Sequence, residues 1–124
     1  MANQTVTDRM IESGKRLIND LDSHGFKIDI ACWVYQPEEE GWSLIIESPM
    51  ADRNLSEAIK SLQEIYNAET HPPLSDIKIY GKEYLKGSQI HVLREVLNKS
   101  TSASYEGEGI YFFKVPNTKT RKDS

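Results

Sequence analysis

A chain of 124 residues, 38% hydrophobic and 27% charged, has the size and composition of one ordinary globular domain. Nineteen acidic residues against fifteen basic ones leave a net charge of −4, which argues against the concentrated positive face of a nucleic-acid-binding domain. A lone Cys32 excludes an internal disulfide framework and a cysteine-based zinc site, no apolar run approaches a membrane span, and residues 1–8 lack the charged start and apolar centre of a secretory signal; the expected location is cytoplasmic.

The first helix is expected to start at Thr5 or Thr7, whose hydroxyls can cap it, and to present Met10, Gly14, Leu17, Ile18 and Leu21 as one apolar stripe. Gly14 costs about 1 kcal/mol against alanine in a helix, so it marks a candidate point of close packing on the sheet. Gly25 is a ready stop, with Phe26 folding back on the last turn. A strand follows in which Ile28, Ile30, Cys32 and Val34 alternate with Asp29, Ala31, Trp33 and Tyr35. Residues 37–41, Pro-Glu-Glu-Glu-Gly, read as a solvated five-residue turn, so that Gln36 meets Trp42. The second strand, 42–48, sets Trp42, Leu44 and Ile46 against Ser43, Ile45 and Glu47; bulk on both faces predicts cover on two sides.

Beyond Pro49, Asn54 and Glu57 form a capping box for a helix running to about Glu69, with Leu55, Ile59, Leu62 and Tyr66 as its stripe. His71-Pro72-Pro73 ends it. A short strand at 76–80 turns at Gly81 into a helix over 82–99, open to interruption at Gly87-Ser88, which buries Leu85, Ile90, Leu93, Val96 and Leu97. Residues 100–109 are loop by composition. The last strand, 110–115, is apolar on both faces, so helices or a second subunit must cover it. The expected fold is α+β: a single domain over 1–116, ordered α-β-β-α-β-α-β, with three helices on a four-stranded mixed sheet, and a flexible polar and basic tail over 117–124. The right-handed crossover rule makes strands two, three and four parallel.

Chemistry is sparse. There is no nucleophile elbow, phosphate-binding loop or dinucleotide fingerprint. Cys32 sits mid-strand among apolar residues and reads as a small buried hydrophobe. His24 falls at a helix end, His71 in a loop before two prolines, and His91 on the polar side of the third helix; they are too scattered for a helical metal pair, and no metal or cofactor is expected. Asp29 and Glu47 form the one constellation with mechanistic shape. With the five-residue turn they are diagonal neighbours about 7 Å apart, if they share a face. A helix followed by a carboxylate-bearing hairpin resembles the start of restriction-endonuclease-like nucleases, in which paired acids hold Mg²⁺ beside a lysine. Here Ser48 and Pro49 follow Glu47, and the lysine is missing.

Gly25-Phe26, a strand ending Trp33-Val34-Tyr35, then Trp42-Ser43-Leu44, Ile46-Glu47-Ser48-Pro49 and a late Tyr111-Phe112-Phe113 together resemble a group of small bacterial proteins with a tryptophan-bearing hairpin closed by Ser-Pro. The likeness covers about two-thirds of the chain and implies no activity, cofactor or site residue. In that pattern the residue before Ser-Pro is often small, so Glu47 is a departure, which further weakens a metal-carboxylate role.

The expectation is therefore a non-catalytic interaction module, acting on a protein partner or by self-association as a homodimer, for instance as an immunity-like inhibitor of a basic protein. Trp33, Tyr35, Trp42, Tyr111 and Phe113 are its candidate interaction residues, because aromatics with polar handles are favoured at interfaces. The alternative is a divalent-metal phosphodiesterase using Asp29 and Glu47. Nucleic acid is not an expected partner, no membrane is expected, and a small-molecule ligand would leave no mark in the sequence.

Overall fold

The computed structural model describes residues 5–85 and 89–115. Five strands form one sheet in the order β3-β2-β1-β5-β4. The central strand β1 (Ile30–Gln36) pairs antiparallel with β2 (Gly41–Glu47) on one side and with β5 (Ile110–Phe113) on the other. Edge strand β3 (Ile77–Tyr80) runs parallel to β2, and the opposite edge, β4 (Ser104–Gly107), pairs antiparallel with β5. Because β2 and β5 are both antiparallel to β1, the strands β2, β3 and β5 share one direction, as the crossover rule requires.

Helix α1 (Asp8–Ser23) begins where the Thr7 hydroxyl accepts the Met10 N–H at 3.1 Å. It ends at His24 and Gly25, whose φ of +83° only glycine adopts without strain, and the Phe26 N–H returns to the Leu21 carbonyl at 2.9 Å. The sheet face bearing Ala31, Trp33, Leu44, Ile46 and Phe113 packs with Leu17, Ile18 and Leu21 of α1 and with Ala58 and Leu62 of α3 (Leu55–Ile65). The opposite face, with Ile30, Cys32, Ile45 and Phe112, is covered by Leu97 of α5 (Gln89–Asn98) and by its half-buried Ile90 and Leu93. Burial on both faces is thus met within one chain, β5 included: it lies inside the sheet between β1 and β4.

The structure corrects the expected plan in several places. The sheet has five strands, because Ser104–Gly107, read as loop, folds back on β5 through a tight turn in which Gly109 has φ +74°. The hairpin turn is shorter by one residue: Gln36 pairs with Gly41, since Glu40 takes φ +52° and brings the chain back early. A short helix α2 (Pro49–Arg53), capped by the Ser48 hydroxyl, precedes α3, and α3 stops at Ile65, before Tyr66 and Glu69. The third expected helix begins as α4 (Lys82–Leu85) and continues as α5. Leu55, Ile59 and Val96, expected in apolar stripes, are exposed. The expected break at Gly87-Ser88, burial of Leu85 and the 117–124 tail lie outside the described residues.

Gly14 is where α1 meets the sheet. A Cβ there would stand 2.9 Å from Phe113 Cζ and 3.0 Å from Trp33 Nε1, the same indole nitrogen that donates to the Met10 carbonyl at 3.0 Å. Gly14→Ala should therefore destabilise the domain by about 1–3 kcal/mol, against the ~1 kcal/mol that alanine gains in helix propensity. Urea denaturation reads the sign; a more stable Gly14→Ala would refute the tight seat.

Candidate functional site

The register gathers the five aromatic candidates onto one sheet face: Trp33 stands opposite Tyr111, Tyr35 opposite Trp42, and Ala31 opposite Phe113. Their surroundings then divide them. Phe113 is buried beneath α1 and meets Tyr111 edge to face, with centroids 5.2 Å apart. Tyr35 and Trp42 make a similar edge contact at 5.6 Å and stay half-buried. Half-buried Trp42 lines a groove of about 1210 Å³ and Trp33, expected as a contact residue, is buried at its base; Tyr35, Tyr111 and Phe113 do not line it.

One wall of this groove is α1, from Thr7 to Asn19, and the other is the chain after α3, residues 66–73, with Asp76. Trp33, Trp42 and Tyr66 supply its aromatic lining, and Glu39 and Gly41 of the hairpin turn border it. A hydrogen-bonded latch joins the walls. The His71 ring, its side chain 1% exposed, places Nε2 2.7 Å from Asp20 Oδ2, while its Nδ1 accepts the Asn67 N–H at 2.9 Å. With Nδ1 occupied as an acceptor, the ring proton belongs on Nε2 and is donated to Asp20. The Tyr66 hydroxyl donates to the Pro72 carbonyl at 2.7 Å, and its ring lies against that of His71. Both ring nitrogens of His71 are therefore committed to holding the loop, which leaves this Asp–His pair structural.

Charge within the groove differs by element. Arg9, Lys15 and Arg16 line it from α1 together with Glu12, and Arg16 also approaches Asp20 at 3.8 Å. Glu39, Glu69 and Asp76 line it from the turn and the loop. Burial raises the Asp76 carboxyl above the usual range; Lys78 opposes that shift and Glu39 adds to it.

The other face of the sheet carries the second ionisable cluster. Glu47, 1% exposed, stands opposite Ile30 and therefore on the Cys32 side, where its Oε2 lies 2.6 Å from His91 Nε2. This corrects two expectations. His91 faces the sheet, not the polar side of its helix, and the shorter turn moves Glu47 away from the register that made it a diagonal neighbour of Asp29. Asp29 stands in a bend ahead of β1, and its backbone N–H bonds the Glu47 carbonyl at 2.8 Å. Among the described residues no group of three or more His, Cys, Asp or Glu side chains has the arrangement of a metal site. Burial, reinforced by the Glu47 charge, pushes the Cys32 thiol up to about 12, so the nucleophilic thiolate is suppressed at neutral pH. His24 caps α1, its Nδ1 2.8 Å from the Asp20 carbonyl.

Sequence reasoning did not single out Tyr66 or the latch as part of a site. Tyr66 falls in step with the apolar stripe of α3, and Asp20 and His71 are 51 positions apart. His71-Pro72-Pro73, a helix stop carrying a histidine, is the one local signal. No helix among the described residues is long and apolar enough to cross a membrane. No family model matches the chain, and comparison with curated proteins and with solved structures returns no match. The resemblance of the tryptophan hairpin thus brings no family assignment.

The buried ionisable groups can be tested through stability. His91→Ala leaves the Glu47 carboxylate buried without this partner and should cost about 3–5 kcal/mol in urea denaturation, whereas the paired change Glu47→Leu with His91→Leu should recover most of that loss. Equal losses in the single and paired variants would show that the two side chains do not act as a pair. For Asp76, a folded-state pKa above the unfolded one means that stability falls as pH rises through the titration. Asp76→Asn should raise Tm at neutral pH, and its advantage should shrink as acid protonates Asp76 in the parent; thermal melts across a pH series check both signs.

Proposed function

We propose that this protein is a non-catalytic interaction module whose contact surface is the groove between α1 and residues 66–76. The reading rests on one observation above the others: half-buried Trp42 and Tyr66, with the buried Trp33 behind them, line a groove of about 1210 Å³ whose walls are fastened together by the Asp20–His71 bond. Preformed concave surfaces with aromatic anchors and a charged rim are what protein and peptide partners use, because little ordering cost remains on binding. The acidic balance of the chain favours a basic partner, and an immunity-like inhibitor acting in the cytoplasm is the concrete version.

Self-association through the last strand loses its original motive, since β5 is covered on both faces by the chain's own helices. The phosphodiesterase alternative gains no support from a Glu47 carboxylate held by His91.

Tagged protein recovered from its native cells should bring down a stoichiometric, salt-sensitive basic partner. Trp42→Ala should weaken that complex by at least ~30-fold in Kd, the scale of a tryptophan hot spot. A partner that binds Trp42→Ala as tightly as the parent would move the contact surface elsewhere.

A further inference from the structure

The opposed charges of the groove walls specify more than a docking surface. Building on the interaction-module reading, we propose that the groove takes an extended segment of a partner protein through a lysine or arginine side chain, its cationic group seated against Trp42 between Glu39 and Asp76.

Trp42 is half-buried, its ring is braced edge-on by Tyr35, and it shares the groove with Trp33 and Tyr66. An indole face attracts a cation through the ring quadrupole, and the attraction grows where water is partly excluded. Glu39 and Asp76 border the same groove; burial is the main cause that raises the Asp76 carboxyl above the usual range, and the Glu39 charge adds a smaller part. A partly buried carboxylate beside a second one gains from a positive group that enters the groove, because the cation pairs with both and offsets the cost of burial. Lys78 opposes the shift more strongly than Glu39 adds to it, so what a cation in the groove chiefly offsets at Asp76 is burial.

The opposite wall restricts the partner further. On the α1 side Arg9, Lys15 and Arg16 outnumber Glu12, so a uniformly basic segment gains less there than at the turn and loop. A segment with its cation toward the hairpin turn and a carboxylate toward α1 satisfies both walls in one orientation. Such a groove selects by charge placement, not by net charge alone.

Tryptophan fluorescence titration of the intact protein tests this with four probes: the N-acetyl methylamides of lysine, arginine, norleucine and glutamate. The lysine and arginine probes should give saturable curves in the millimolar range, at least ~10-fold tighter than norleucine or glutamate. Glu39→Gln combined with Asp76→Asn should weaken the cationic probes at least ~10-fold, and Trp42→Ala should abolish their binding. Circular dichroism melts confirm that both variants are folded. Equal binding of lysine and norleucine probes, absence of saturation, or an unchanged affinity in the Glu39→Gln/Asp76→Asn variant would overturn the proposal. The two readings fail separately: a partner lost with Trp42→Ala but kept by Glu39→Gln/Asp76→Asn leaves the module standing and removes the cation. A partner kept by Trp42→Ala removes the groove as its surface.

Discussion

Glu40, held at φ +52°, closes the hairpin after four residues, and the facing of every side chain on β2 depends on that closure. Side chains alternate along a strand, so a turn longer or shorter by one residue exchanges the two sides of the ladder. With Gln36 paired to Gly41, Trp42 falls beside Tyr35 on the α1 side, and Glu47 falls on the side of Cys32 and α5. The aromatic lining of the groove and the buried Glu47–His91 pair are two results of one backbone conformation. A non-glycine residue at positive φ is uncommon and carries some strain, which the seven ladder residues on each side of the turn hold in place.

Given that register, the two faces acquire different chemistry. On one, α1 settles to within contact of Trp33 and Phe113 because Gly14 has no side chain, and the indole N–H reaches a helix carbonyl as a result. The helix is thereby fixed beside the tryptophan, and the space between it and the chain after α3 remains a groove. On the other face, α5 lies over an apolar patch and a carboxylate, anchored at one point by His91. Such a pair contributes little net stability once desolvation is counted, yet losing one member is costly, so it acts as a constraint on helix placement.

Much of this was legible in local residues. Thr7, Gly25 and Phe26 marked the ends of α1 through capping chemistry that needs no distant partner, and Asn54 marked the start of α3 in the same way. Gly14 was legible as an anomaly in an apolar stripe. The hairpin was visible in its β-branched and aromatic composition, but its register was not, since three consecutive glutamates give no sign of which one adopts the left-handed conformation. Strand β4 was hidden because Ser104, Gly107 and the residues around them have loop composition, and only pairing with β5 makes them a strand. The groove's latch and the Glu47–His91 pair join residues 51 and 44 positions apart, and no periodicity encodes such contacts. Tyr66 fitted the stripe of α3 and was hidden by that fit.

The central position of β1 has a consequence for how the chain is made. Its two neighbours in the sheet, β2 and β5, lie far apart in the sequence: one follows after a four-residue turn, and the other is the last strand described. On a ribosome moving at about 5–20 residues per second, the hairpin emerges early and then waits roughly 3–13 s for Ile110–Phe113 to arrive. Throughout that interval the middle strand of the finished protein is an edge, rich in bulky apolar side chains and open to pairing with a neighbouring chain. The nascent protein is therefore most exposed to misassociation at the position that becomes its most protected.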